Sequence, residues 1–215
     1  MNHLYKKLLL AFIAAILSFS LVGCSGGGVN GEGGGSYDSG APLPNGNAFN
    51  LKGWSEIKAG HYSSAIASFN KVLADSPSPQ EEADAHNGLG WAKARQNSLM
   101  AAGRDHFVRA KDLSYDAKVG MVGVYLNQAS KEDMRQIVQI LAMEIGKNNP
   151  HFNYSPNPIL SITCADLHAV LAYAYAVLDE TEAANEHIEY AKTLEPGYEN
   201  KPVNEIIKMV TFVNR

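Results

Sequence analysis

A glycine–tryptophan pair occurs twice, as Gly53-Trp54 and Gly90-Trp91, 37 residues apart, and Ala65 has its counterpart in Ala102 at the same interval. Self-similarity at a period of roughly 20–50 residues constrains a fold more tightly than composition does. A unit of that length cannot bury its own apolar face, so consecutive units must stack. From Ala48 onward apolar residues recur three and four positions apart and alternating β-branched runs are absent, which makes the patterning helical throughout. Start signals agree. Ser78-Pro79-Gln80-Glu81 supplies an N-cap, a proline at the first helical position and a glutamate able to close a capping box; Ser130 with Asp133 and Thr163 with Asp166 repeat the logic. Breaks fall at Ser76-Pro77, Asn148-Asn149-Pro150, between Ser155 and Pro158, and at Pro196-Gly197. The expectation is about nine helices of roughly 11 to 18 residues joined by short turns, with one longer loop around 148–160.

The stretch Gly53, Gly60-His61-Tyr62, Ala65, Phe69, Pro77 resembles a tetratricopeptide (TPR) repeat, with the family's small residue, Gly-x-Tyr turn, alanine, aromatic and proline in order. A second unit keeps Leu89-Gly90 and Ala102, after which Phe107 and Ala110 sit one place late. A last unit carries Leu171, Ala172, Tyr175, Ala184, Ala191 and Pro196. Between them the surplus length matches the 148–160 loop and leaves one degenerate helix pair at about 115–147. The resemblance implies an all-α fold: a TPR-type superhelix of antiparallel helix pairs over 48–215, with Val203 to Val213 as a C-terminal capping helix.

In that family a concave groove is lined by the first helix of each pair. Carried onto this chain, the lining residues are Asn47, Asn50, Trp54, Ile57 and Lys58; Asp84, Asn87, Trp91, Ala94 and Arg95; and Asp166, Ala169, Tyr173, Ala176 and Val177. The peptide-binding candidates are Asn50, Trp54, Lys58, Asn87, Trp91, Arg95 and Tyr173. Asn side chains would hold an extended backbone, the indoles would pack its side chains, and Lys58 and Arg95 would meet an acidic group. The residues equally allow Trp54 and Trp91 to be core, packed between neighbouring first helices.

The N-terminus has the three parts of a secretory signal: Lys6 and Lys7, an uncharged apolar run from Leu8 to Leu21, and a small residue before a cysteine. The run is too short for a spanning helix of about 20 residues. Leu21-Val22-Gly23-Cys24 resembles the lipobox of bacterial lipoproteins, which implies cleavage of residues 1–23, acylation of Cys24 and anchoring in a lipid bilayer. Ser25 after the cysteine implies, by the same resemblance, an outer-membrane location facing the periplasm. Residues 25–47 contain nine glycines and almost nothing apolar, so 24–47 reads as the lipidated cysteine and a flexible linker. Its root-mean-square span is roughly 25 Å. Gly26, Gly28 and Gly31 match G-x-G-x-x-G without a preceding strand or following helix, so that match carries nothing.

Loss of Lys6 and Lys7 leaves 16 basic and 22 acidic residues, a formal charge of −6. That balance and the absence of a Lys/Arg run offer nucleic acid no footprint. With Cys24 acylated, Cys164 is a single thiol at the start of an apolar stretch and reads as core. No G-x-S-x-G, Walker loop, H-E-x-x-H or C-x-x-C occurs, and no two of the seven histidines stand at i, i+4 spacing. His86 and His168 share one repeat position and read as structural, with no metal or cofactor implied. Glu180, Glu182, Glu186 and Glu189 read as a solvated face. The function these residues point to is non-enzymatic: an envelope-anchored scaffold or adaptor that binds a peptide segment of another envelope protein. A self-associating structural component and a regulatory subunit of an envelope enzyme stay open beside it.

Overall fold

The computed structural model describes residues 48–201 and 203–213. The signal sequence, Cys24, the linker and Asn47 lie outside the described residues. The described chain is all-α, with nine α-helices and no strand. They are α1 (Ala48–Lys58), α2 (Tyr62–Ala74), α3 (Pro79–Gln96), α4 (Arg104–Ala110), α5 (Tyr115–Gln128), α6 (Lys131–Val138), α7 (Cys164–Val177), α8 (Thr181–Leu194) and α9 (Val203–Val213). All three capping boxes form: Ser78 with Glu81, Ser130 with Asp133 and Thr163 with Asp166 each exchange side chain and backbone reciprocally. Each satisfies two backbone donors that a helix start otherwise leaves without partners.

Every helix from α1 to α7 packs on its successor, and α1 with α3, α3 with α5, and α7 with α9 add contacts between alternate helices. Glycine makes the close approaches possible. A Cβ on Gly53 or Gly88 would fall 2.6 or 2.1 Å from the Phe69 ring, and one on Gly90 or Gly120 would fall 2.4 Å from the Phe107 ring. Each phenylalanine of a second helix therefore sits between a glycine of its own first helix and a glycine of the next. Both rings are fully buried, worth about 1.5–3 kcal/mol each. Trp54 meets Phe69 edge-on at 5.7 Å between centroids, and Trp91 meets Phe107 the same way at 5.2 Å. The recurring Gly-Trp pair is thus one packing device used twice.

Two expectations need correction. Second helices of the middle hairpins are shorter and less regular than 11–18 residues: α4 has seven residues after a 3-10 turn at Met100–Gly103, and α6 has eight before winding on as a π-helix through Gln139–Ile145. The 37-residue interval that pairs Ala102 with Ala65 also does not mark the residue at the close approach of the second hairpin. Gly103 takes that place, where a Cβ would stand 2.2 Å from the Gly90 carbonyl oxygen, so the one-residue slip begins before Phe107. In the last helix Val203, Ile206, Ile207, Met209 and Val210 are buried, and α9 lies on α7.

Candidate functional site

Most residues expected to line an open groove face inward. Asn50, Trp54, Asn87, Trp91 and Tyr173 are 1, 8, 3, 1 and 6 % exposed. The Asn50 amide donates to the Glu81 carbonyl at 3.1 Å, and the Trp54 indole N–H donates to Asp84 Oδ1 at 3.0 Å. Among the described residues Trp91 Nε1 and Asn87 Oδ1 find no hydrogen-bond partner. These five side chains are core, not groove. The reason is the glycine before each tryptophan: it admits the phenylalanine of the second helix, and the indole turns in to pack on that ring. Lys58 is exposed on α1, and Arg95 is half-buried.

Arg95 does meet a peptide, one belonging to its own chain. Its Nη2 donates to the carbonyl oxygens of Ile159 and Leu160, at 3.0 and 2.9 Å. Asp116, at the start of α5, receives the same segment: its Oδ1 accepts the Asn157 backbone N–H at 3.1 Å and the Tyr154 hydroxyl at 2.6 Å. Tyr154 stands edge-on to Tyr115, and Pro158–Leu160 reaches α1. Burial alternates over 152–156: Phe152 and Pro156 are buried and Tyr154 half-buried, whereas Asn153 and Ser155 are exposed. A period of two is that of extended chain on a surface. Pro158–Leu160 then winds as a 3-10 turn closed by the left-handed Ser161, with Leu160 and Ile162 buried and Ser161 and Thr163 exposed. Beneath Ile162 a largely apolar pocket of about 430 Å³, counted to its open mouth, lies between Trp91, Met100, Val122, Leu126 and Leu167.

Asp116 and Tyr154 were not singled out by sequence. The signal available was the apolar alternation Phe152, Tyr154, Pro156 inside what reads as a loop. Burial raises the carboxyls near this face above the ordinary carboxylate range. Burial pushes Asp84 up to about 6, opposed by the Trp54 hydrogen bond and assisted by Asp116. Burial likewise raises Asp116 and Asp166. Burial beside Asp116 pushes the Tyr154 phenol far up, so it remains a donor.

The histidines form a second cluster of note. His86 on α3 and His106 on α4 face each other Nδ1 to Nδ1 at 3.0 Å, and so do His168 on α7 and His187 on α8. Ring centroids 5.2 Å apart in both pairs put the two nitrogens close to the line joining the rings, the geometry of a shared N–H···N. The surroundings fix the tautomers. Lys93 Nζ, which can only donate, lies 2.7 Å from His106 Nε2, so His106 carries its proton on Nδ1. The Phe152 carbonyl, which can only accept, lies 2.9 Å from His168 Nε2, so His168 carries its proton there and its Nδ1 accepts from His187. Both pairs therefore run from the second helix to the first. Burial keeps all four rings neutral, with His106 and His187 pulled down to about 4.

Cys164 is buried, its thiol donating toward the Phe152 carbonyl at 3.6 Å. Burial pushes that thiol up to about 11, the direction of a packing residue rather than a nucleophile. Glu180, Glu182, Glu186 and Glu189 are exposed. Among the described residues no three His, Cys, Asp or Glu side chains gather as a metal site, and no helix is long and apolar enough to cross a membrane. No protein-family model matches the chain, and no curated protein matches it.

Proposed function

We propose that the protein is a lipid-anchored scaffold or adaptor of the cell envelope, a TPR-type helical repeat that binds an extended segment of another envelope protein. One observation carries the reading: a face built from α1, α3 and α5 grips a chain segment by its backbone, with Arg95 on two successive carbonyls of a 3-10 turn and Asp116 on the N–H of the residue before it. Main-chain hydrogen bonds that supply affinity, with side-chain pockets that supply specificity, are a general mode of peptide binding. Support for the repeat type comes from the helix order, with each helix from α1 to α7 against the next, and from the twice-used Gly-Trp-Phe packing. The lipid anchor rests on the lipobox-like Leu21-Val22-Gly23-Cys24. Several acyl chains, each methylene contributing about 0.8 kcal/mol, would hold such a domain stably at a bilayer. The reading differs from the expected groove in its residues: Arg95 and Asp116 do the gripping, and the tryptophans support them from the core.

Two measurements test it. A photoreactive residue at Lys58 or Ser161, both exposed beside the face, is expected to crosslink one identifiable envelope protein, while the same probe at Glu182 does not. Equal crosslinking from all three positions, or none from any, removes the scaffold reading. Cys24→Ser should leave the mature protein free of the membrane fraction; retention of that variant would refute the anchor.

A further inference from the structure

Residues 153–163 form a loop whose ends meet. At its base Cys164 Sγ lies 3.6 Å from the Phe152 carbonyl oxygen. His168 Nε2 donates to that same oxygen, its ring stacks on Phe152 at 4.1 Å between centroids, and Thr163 is fixed as the N-cap of α7. Both ends of the loop are therefore pinned to α7. Its tip, Asn157 to Leu160, lies on α1, α3 and α5. Closed-ended loops of this kind move as units when their tip contacts are released.

The tip is held by contacts that an external peptide would reproduce. Three of its four charged-group hydrogen bonds go to backbone atoms: Arg95 to two carbonyls and Asp116 to one N–H. Backbone groups are the same in every peptide, so these bonds select the turn that Asn157 to Leu160 adopts and not a sequence. Selection comes from the alternate side chains: the Tyr154 hydroxyl on Asp116 with its ring against Tyr115, buried Pro156, and Leu160 at 0 % exposure. Pro158 opens the 3-10 turn with its φ already fixed, which lowers the entropy lost on ordering.

We propose that residues 153–162 are an internal ligand of the α1/α3/α5 face, and that the external partner is a peptide of the same chemistry competing with it. Such a peptide carries a tyrosine near its start and prolines before an aliphatic pair that winds as a single 3-10 turn. The inference rests on the scaffold reading and names both its ligand class and its regulation. The face is closed by its own chain until a better-matched segment displaces the tip.

The experiment titrates a labelled synthetic peptide with the sequence of Asn153–Ile162 into three forms of the full chain. These are wild type, a variant with residues 154–160 replaced by Gly and Ser at equal length, and that variant with Arg95→Ala added. The opened variant should bind at least about ten-fold more tightly than wild type, with Arg95→Ala and a Tyr154→Phe peptide each reversing the gain. An opened variant that keeps wild-type helicity and does not bind overturns the proposal. Hydrogen exchange on the wild-type chain covers the case in which the opened variant fails to fold. The Asn157 and Leu160 amides should exchange at least about ten-fold faster than buried amides of α3 and α7. Equal protection would mean that the tip opens only with the whole domain, and would overturn the proposal too. A Lys58 crosslink to an envelope protein that excess peptide does not reduce overturns this inference alone and leaves the scaffold reading standing.

Discussion

Phe69 and Phe107 set the distance between the helices around them, and the glycines they touch are the residues least free to change. At Gly103 a Cβ would lie 2.2 Å from a backbone oxygen rather than from a movable side chain. Gly103→Ala should therefore cost about 1–3 kcal/mol, the range for forced overpacking. Gly197 has nothing within 4 Å of a Cβ but a φ of +75°, so Gly197→Ala should cost about 1 kcal/mol from backbone strain alone. Urea unfolding of the two variants checks the order; a Gly103→Ala chain as stable as wild type would mean the α3–α4 approach relaxes freely. Asp84 gives a prediction of opposite sign. Its folded pKa of about 6 lies above the ordinary 3.8, so the folded chain binds more protons than the unfolded one between those values. The destabilisation is complete above pH 6 and fades as pH falls toward 3.8. Asp84→Asn, which keeps an oxygen for the Trp54 N–H, should raise Tm at pH 8 and lose most of that gain below pH 5. A Tm gain independent of pH would point to packing instead. The positions of Trp54 and Trp91 were legible in the sequence, as was their shared register. Their inward orientation was not, because it depends on a phenylalanine about 15 residues away that periodicity alone does not place against the indole.

At the scale of elements, helix starts were the most legible feature, because a capping box is written in four adjacent residues and all three formed. The interiors of α4 and α6 were not. Nothing local in Met100–Gly103 or Gln139–Ile145 announces 3-10 or π winding, which follows from seating Gly103 on Gly90 and continuing α6 toward the loop. The paired histidines lie between these cases. His86 and His168 share a repeat position, but their partners, 20 and 19 residues on, belong to second helices whose register differs by the slip. The tautomers deduced above give a direct measurement: nitrogen-correlated NMR should find Nδ1–H on His106 and His187 and Nε2–H on His86 and His168. Finding His106 protonated on Nε2 would refute the Lys93 argument. Burial first, then Lys93 and the partner ring for His106, and the partner ring and His151 for His187, pull both from 6.5 down to about 4. The unfolded chain then binds more protons between those values. This contribution to stability is whole above pH 6.5 and is lost as pH falls through that window toward 4. The two rings should accordingly show titration midpoints near 4, and midpoints near 6.5 would show the pairs open to solvent.

For the whole molecule the question is whether the helices behave as an array or as one cooperative unit. Contacts between sequential helices favour an array, in which local losses stay local. The 153–163 loop works against that, because Arg95 on α3 holds Ile159 and Leu160 just ahead of α7, joining segments 64 and 65 residues apart. Ending the chain at residue 201 separates the two descriptions. It strips Val203, Ile206, Ile207, Met209 and Val210 from α7, burial worth about 1.5–3 kcal/mol per large aliphatic side chain. That loss is comparable with the total stability of an ordinary domain, about 5–15 kcal/mol. The truncated chain should therefore lose amide protection in α7 and α8 while α1 and α2 keep most of theirs. Adding Arg95→Ala should widen the difference, since the loop is the tie through which the last hairpin leans on the first two. If protection instead falls equally in α1, α2, α7 and α8, the loop binds the helices into one unit. Its tip then cannot leave the α1/α3/α5 face without unfolding the domain, and a face that is never vacated cannot exchange its internal segment for a partner's.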